Sequence, residues 1–164
     1  MRWRENRRVI GEVAGWGLSC DANHMTGPSR DGSGLARAIE KALEKAGTVA
    51  VDLGSISAHG TGTVYNDGME IKAFRQVFGG ARVPMYSIKG SIGHTMGAAG
   101  LVEMIVALKS MEDQVIPPSA NLEKADDDAR EWVTSKMVMT VGMRAVLSTN
   151  SGFGGVNAAL VLKA

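Results

Sequence analysis

Pro84-Met85-Tyr86-Ser87-Ile88 runs directly into Lys89-Gly90-Ser91-Ile92-Gly93-His94-Thr95-Met96-Gly97-Ala98-Ala99-Gly100. The fold class follows from this junction. A short apolar run of strand character breaks at a glycine-rich turn, and the turn opens a long apolar segment with helical spacing from Gly97 to about Met111. The same form recurs on both sides of it. Upstream, Ser55 to Ala58 reads as a short buried strand that ends at His59-Gly60-Thr61-Gly62-Thr63. A helix follows from about Gly68 to Phe78, closed by Gly79-Gly80. Downstream, Ala145 to Thr149 ends at Asn150-Ser151-Gly152-Phe153-Gly154-Gly155. The strand Ala158 to Leu162 comes next and pairs back as a hairpin. Near the start, Val9 to Leu18 is a strand and Asp21 to Ser33 a loop. Gly34 to Ala46 is an amphipathic helix with Leu35, Ile39, Ala42, Leu43 and Ala46 as its stripe, Ser33 as N-cap and Gly47 as stop signal. Strands alternating with helices predict an α/β layered domain, its sheet largely parallel with an antiparallel element at the end. Ligands bind at the C-terminal ends of such strands. His59, Lys89 and His94 are therefore expected to gather on one rim.

The helix from Gly97 to Met111 carries a second message. Ala98, Ala99, Leu101, Val102, Met104, Ile105, Val106, Leu108 and Met111 cover nearly every face of it. A helix that is apolar all round must be buried all round. One sheet buries only one side, so this helix needs a second layer that so short a chain cannot supply. Self-association, as a homo-oligomer, is the expectation.

Bulk properties narrow the function classes. At 164 residues there is room for one domain, read here as 9–164 after a charged tail over 1–8. The charged start is not followed by a signal-peptide core. A net charge of +1 gives no reason to expect nucleic acid or an anionic membrane as partner. Cys20 is the only cysteine, which rules out an intrachain disulfide and fits a cytoplasmic location. No apolar run approaches the length of a membrane span. Ten methionines read as adaptable core filler. Asp126-Asp127-Asp128 reads as a solvated loop, because adjacent carboxylates in an extended chain do not converge on a cation.

Taken singly, each rim motif has a plain explanation: a structural histidine, or glycines that allow close packing or generic anion binding. Gly93-x3-Gly97-x2-Gly100 is not a dinucleotide fingerprint. Together and in this order, the motifs resemble the β-ketoacyl synthases of fatty acid and polyketide assembly, members of the thiolase-like fold. His59-Gly60-Thr61-Gly62-Thr63 resembles that family's first histidine motif. Lys89 with Gly93-His94 and Gly97-Ala98-Ala99-Gly100 resembles its lysine and second-histidine motif. Gly152-Phe153-Gly154-Gly155-Val156-Asn157 resembles its terminal turn, and Gly17 to Thr26 resembles a segment of elongating synthases. The likeness runs from about Val9 to Ala164 and corresponds to the carboxy-terminal half of the family. The fold expected is a thiolase-like half-domain: a mixed, mostly parallel five-stranded sheet with helices on both faces and a C-terminal antiparallel hairpin.

The resemblance implies a decarboxylative Claisen condensation. An acyl group is loaded onto a cysteine, a malonyl thioester on acyl carrier protein loses CO₂, and the carbanion attacks the acyl group. His59 and His94 would aim ring N–H groups at the enolate oxygen, each donor of such a site contributing about 3–4 kcal/mol. Lys89, buried in the family pattern, needs a counter-charge. Glu103, one of the few charges on the apolar helix, is the expected partner, in a pair that holds the second histidine. Thr61 and Thr63 would bind the phosphopantetheine arm of the carrier, the expected substrate handle, and no other cofactor is implied. The Phe153 backbone N–H would be an oxyanion donor and its ring a gate. Asp67 and Glu70 lie near this region in the family, but their spacing reads equally as a capping box, the preferred reading here.

The family's nucleophile is the main departure. It sits on a strand-to-helix elbow, whereas Cys20 is followed by the loop residues Asp21-Ala22-Asn23-His24-Met25, which open no helix to lower a thiol pKa. Cys20 is read as non-catalytic and the chain alone as inactive, a truncated, split or decayed condensing enzyme whose amino-terminal half is a missing partner. Ser151 stands where many members have phenylalanine, and Gly62 where serine is common. Two other readings compete: a non-catalytic carrier-binding partner subunit, and an unrelated nucleotide-binding protein using the Gly93–Gly100 turn for phosphate.

Overall fold

The computed structural model describes residues 8–164, so the expected tail over 1–8 falls, apart from Arg8, outside the described residues. The principal sheet has five strands: β1 (Glu12–Cys20), β2 (Ser55–Ser57), β3 (Met85–Tyr86), β6 (Ala145–Gly152) and β7 (Val156–Lys163). Their order is β1-β7-β6-β2-β3. β7 is antiparallel to both of its neighbours, β1 and β6, while β2 runs parallel to β6 and to β3. Four strands thus point one way and β7 alone runs against them, the mixed, mostly parallel sheet expected. β6 and β7 form the C-terminal hairpin. A two-stranded ribbon, β4 (Val115–Ile116) with β5 (Val138–Met139), stands apart.

Side chains alternate across the sheet, and so do the cores. Leu147 of β6 and Val161 of β7 join one cluster with Leu35, Ile39, Phe74 and Trp132. Their neighbours Val146 and Leu162 join another with Tyr86, Ala107, Met111 and Ile116. Helices α1 (Ser33–Ala46) and α2 (Val64–Phe78) cover the first face, and α4 (Ala99–Asp113) the second; α3 (Lys89–Ile92) is a single turn. At about 1.5–3 kcal/mol for each large apolar side chain fully buried, both faces are needed. α1 lies directly on the backbone of β1. A Cβ on Gly15 would fall 2.2 Å from the Ala42 carbonyl oxygen, and one on Gly17 only 1.9 Å from that of Ala38.

Sequence and structure part at a few element ends. Ser33 is not the N-cap of α1. That position is Gly32, and the Asp31 carboxylate accepts the Ser33 N–H at 3.0 Å. The carboxylate one residue before that position takes a backbone N–H of the first turn. α2 starts at Val64, a turn before the expected Gly68. No helix among the described residues is long and apolar enough to cross a membrane.

α4 is only half covered. Ala99, Glu103, Ala107, Ser110 and Met111 are buried, but Leu101 is 58% exposed and Ile105 54%. Trp16 and Leu18 of β1 stand on the same sheet face as Leu160, directly opposite Trp16, and are also exposed. Among the described residues no second layer covers that side of α4.

Candidate active site

Register brings the site together. Ser57 of β2 pairs with Ser148 of β6 and with Tyr86 of β3. All three strands run parallel, so the residues that follow them emerge on one edge. Two positions beyond the Ser57–Ser148 pair lie His59 and Asn150. They meet: His59 Nδ1 is 3.1 Å from Asn150 Oδ1. Just past β3 comes Lys89, buried, its ammonium donating to Glu103 Oε1 of α4. The other carboxylate oxygen, Glu103 Oε2, accepts from Asn150 Nδ2 at 2.7 Å. A continuous chain therefore runs Lys89–Glu103–Asn150–His59. The sequence reading ties the ion pair to the second histidine, whereas its contacts pass through Asn150 to the first.

His94, on the turn between α3 and α4, faces His59 edge-on with ring centroids 5.2 Å apart and planes at 81°. The Met96 backbone N–H donates to its Nδ1 at 3.1 Å. His59 is buried and His94 exposed. Burial, with the Lys89 charge nearby, pushes the His59 imidazole down to about 4, so it is neutral at pH 7.

The loop after β2 is held from below by Glu70. One carboxylate oxygen accepts the His59 N–H at 2.8 Å, and the other accepts the Gly60 N–H at 2.7 Å. Asn66 Nδ2 and the Thr149 hydroxyl complete its donors at 3.1 and 3.4 Å. Glu70 is thus no capping residue, which corrects the preferred sequence reading. Because α2 begins at Val64, Asp67 stands in its first turn and Glu70 in its interior. Burial raises the Glu70 carboxyl to about 7. Gly60 is where the loop comes closest to its neighbour. At φ +41 it is left-handed, a Cβ would sit 2.6 Å from Ser87 Cβ, and the Ser87 hydroxyl donates to its carbonyl at 2.9 Å.

An open cleft of about 2210 Å³ runs over this edge, lined among others by His59, Thr61, Thr63, Lys89, His94, Asn150 and Phe153. The Thr61 and Thr63 hydroxyls lie 2.9 Å apart, Thr61 half-buried and Thr63 exposed. Phe153 sits on the turn between β6 and β7 with its ring exposed. That turn is pinned by the Gly154 N–H, which donates to the Met25 carbonyl at 2.7 Å, and by the Asp21 N–H to the Gly155 carbonyl at 2.8 Å. In place of an aromatic ring, Ser151 puts a hydroxyl 2.7 Å from Asn157 Oδ1. Cys20 is exposed, donates to the Gly154 carbonyl at 3.5 Å and does not line the cleft. Asp126, Asp127 and Asp128 are exposed, and two of them pair with Arg130 and Arg75.

Sequence reasoning missed Asn150 and the clamp made by Glu70. Asn150 stood at the end of a recognised strand, but only the register puts it level with His59.

Residues 10–123 match the profile of the β-ketoacyl synthase C-terminal domain. Over 158 residues the chain is 39% identical to 3-oxoacyl-[acyl-carrier-protein] synthase 2 of Rhizobium meliloti (strain 1021), covering 95% of this chain and 37% of that protein. The ishigamide ketosynthase/chain length factor structure superposes with a TM-score of 0.89 at 40% identity, covering 95% of this chain and 38% of that one. A second structure is described as a type II PKS acyl-carrier protein in complex with its ketosynthase bound to the hexaketide. It superposes at 0.91 with 29% identity, over 98% of this chain and 40% of that one. The chain thus spans about two-fifths of the length of these relatives. The match reaches from the first strand through the lysine–glutamate pair, and with it the chain belongs to the β-ketoacyl synthase family as its C-terminal domain.

Proposed function

We propose that this domain supplies the decarboxylating half of a 3-oxoacyl-[acyl carrier protein] synthase, the acyl-accepting cysteine coming from residues outside these 164. In the complete enzyme an acyl group rests on that cysteine and a malonyl thioester enters on the phosphopantetheine arm of an acyl carrier protein. The bond from Cα to the carboxylate breaks, CO₂ leaves, and its electron pair becomes an enolate on the thioester. The enolate carbon then attacks the acyl carbonyl, and the cysteine thiolate departs. The observation that carries this reading is the histidine pair on the cleft wall, a neutral His59 facing His94 with ring centroids 5.2 Å apart. Negative charge grows on one oxygen during decarboxylation, and preorganised donors there lower the barrier. Lys89 disfavours the charged form of His59 and stays neutralised by Glu103. Thr61 and Thr63 offer hydroxyls to the pantetheine arm, and the Phe153 backbone offers an N–H for acyl transfer with its exposed ring as gate. The complex of a ketosynthase with acyl-carrier protein among the relatives supports the carrier as partner. The uncovered Leu101 and Ile105 support an amino-terminal half as the other partner. A cytoplasmic setting fits the single free thiol.

Calorimetric titration with malonyl-acyl carrier protein tests this, together with an elongation assay of the chain alone. Saturable binding and no β-ketoacyl product are expected. Product from the chain alone would overturn the split of the nucleophile, and absence of binding would overturn the carrier reading. A second reading, a carrier-binding subunit without catalysis, is favoured by the position of Cys20 off the cleft. Unchanged release of CO₂ from malonyl-carrier when His59 and His94 are replaced by alanine would select it.

A further inference from the structure

Arg30 lies in the loop between β1 and α1 and lines the outer part of the cleft. The loop there is fastened to α2. Lys72 donates to the Arg30 carbonyl at 2.9 Å, and Gln76, one turn further along, donates to the carbonyl of Asp31. Gly32 closes the contact: at φ +75, a Cβ on it would fall 2.7 Å from the Met69 carbonyl oxygen. The Arg30 guanidinium carbon sits over the ring of Tyr65, 4.6 Å from its centre, on the first turn of the same helix. A ring contact of this kind uses none of the guanidinium N–H donors. Arg75, Arg82 and Arg130 each pair with an acidic side chain. Arg30 pairs with none among the described residues. A cation fixed in place without a counter-charge suits an anion that arrives from outside.

The rim itself indicates which anion. Exposure rises along the chain from His59, which is buried, through Thr61, half-buried, to Thr63 and Tyr65, both exposed. A pantetheine arm has the same order in its chemistry: a thioester at one end, amides along the middle, and a phosphoryl group at the other end. With the thioester at His59 and the amides at Thr61 and Thr63, the phosphoryl group falls on the outer side, beside Tyr65 and Arg30.

We propose that Arg30 is the phosphate-recognition residue of this cleft, its guanidinium taking the phosphoryl group that ends a carrier protein's pantetheine arm. Paired, charge-assisted N–H···O bonds are the geometry a planar guanidinium offers such a group. The contact with Tyr65 restricts the side chain beforehand, so less freedom is lost on binding. The assignment rests on the reading above, in which the arm enters past Thr61 and Thr63.

The test is calorimetric titration of the full chain with 4′-phosphopantetheine and with pantetheine, which lacks only the phosphate. Wild type is expected to bind the phosphorylated compound about tenfold more tightly. Arg30→Gln is expected to abolish that preference and leave pantetheine binding unchanged. Arg30→Lys, which keeps the charge without the planar fork, is expected to restore only part of it. Pantetheine bound as tightly as its phosphate by wild type leaves the arm reading standing and overturns the role of Arg30. So does an Arg30→Gln protein that loses affinity for both compounds equally. Absence of binding by either compound overturns both. Holo-acyl carrier protein and coenzyme A both bear the group, and the carrier is expected to show the Arg30 dependence. Dependence shown by coenzyme A alone overturns the carrier as its source.

Discussion

Glu70 Oε2 accepts the Gly60 N–H at 2.7 Å, and through that contact a buried acid in α2 shapes the loop that carries His59. Burial raises the Glu70 carboxyl from 4.5 to about 7. A raised acid in the folded state holds its proton after the unfolded chain has lost it. Its stabilising contribution is complete below about pH 4.5 and is lost as the pH climbs to 7. His59, pushed down from 6.5 to about 4, acts in the opposite sense: its contribution is complete above about pH 6.5 and is lost as the pH falls through 4. The two slopes oppose each other over most of one window. Glu70→Gln removes the first and leaves the second. The stability of wild type relative to Glu70→Gln is therefore expected to be greatest near pH 4.5 and to shrink by about 3 kcal/mol on reaching pH 7, at about 1.4 kcal/mol per pH unit. Urea melts of both proteins across that range check it, and a difference that grows with pH would refute it.

The Lys89–Glu103 pair is buried on both sides, with side chains 6% and 2% exposed. Removing one partner strands a charge, which costs about 3–5 kcal/mol, whereas replacing both can be nearly neutral. Lys89→Met is expected to destabilise by that amount, and Lys89→Met with Glu103→Gln to recover much of it. Lys89 also lowers the His59 pKa, so Lys89→Met is expected to raise it. An NMR titration of His59 reads this separately from stability.

The difference between the legible and the hidden parts is physical. The junctions at His59, Lys89 and Asn150 were readable because each joins a change of period to a glycine turn, a local signal. Lys89 with Glu103 was readable because the family resemblance implies a buried lysine, and Glu103 is one of the few charges on the apolar helix. The contacts made by Asn150 and Glu70 were not. Their roles depend on the pairing of Ser57 with Ser148 and on the turn that α2 gains before Gly68, both set by tertiary contacts. The ribbon of β4 and β5 has two residues per strand, too few for alternation to register.

Gly17 offers a purely steric test. Its position in β1 needs no unusual backbone, yet a Cβ there would lie 1.9 Å from the Ala38 carbonyl oxygen in α1. Backbone cannot swing aside as a side chain can, so α1 must lift. Overpacking of this kind costs about 1–3 kcal/mol or more, and at about 2–4 °C per kcal/mol for a chain of this size Gly17→Ala is expected to lower Tm by about 5–10 °C. Gly97, with nothing within 4 Å of its would-be Cβ, is the control, and Gly97→Ala is expected to leave Tm within about 2 °C. Equal effects at the two sites would show that α1 does not rest on β1.

Leu101 and Ile105 are one turn apart on α4 and more than half exposed, and Trp16 and Leu18 extend apolar surface across the same side of the sheet. Contiguous exposed apolar surface drives association at about 25 cal/mol per Å² removed from water. The chain on its own is therefore expected to self-associate at tens of micromolar, where an interface of about 6–7 kcal/mol becomes half occupied. Replacing Leu101 and Ile105 together by lysine should restore a monomer without unfolding the domain, because neither side chain belongs to its buried cores. Sedimentation velocity distinguishes the cases. A wild-type monomer at that concentration would mean that the exposed face of α4 does not drive association, and the case for a covering second layer would lose its energetic basis.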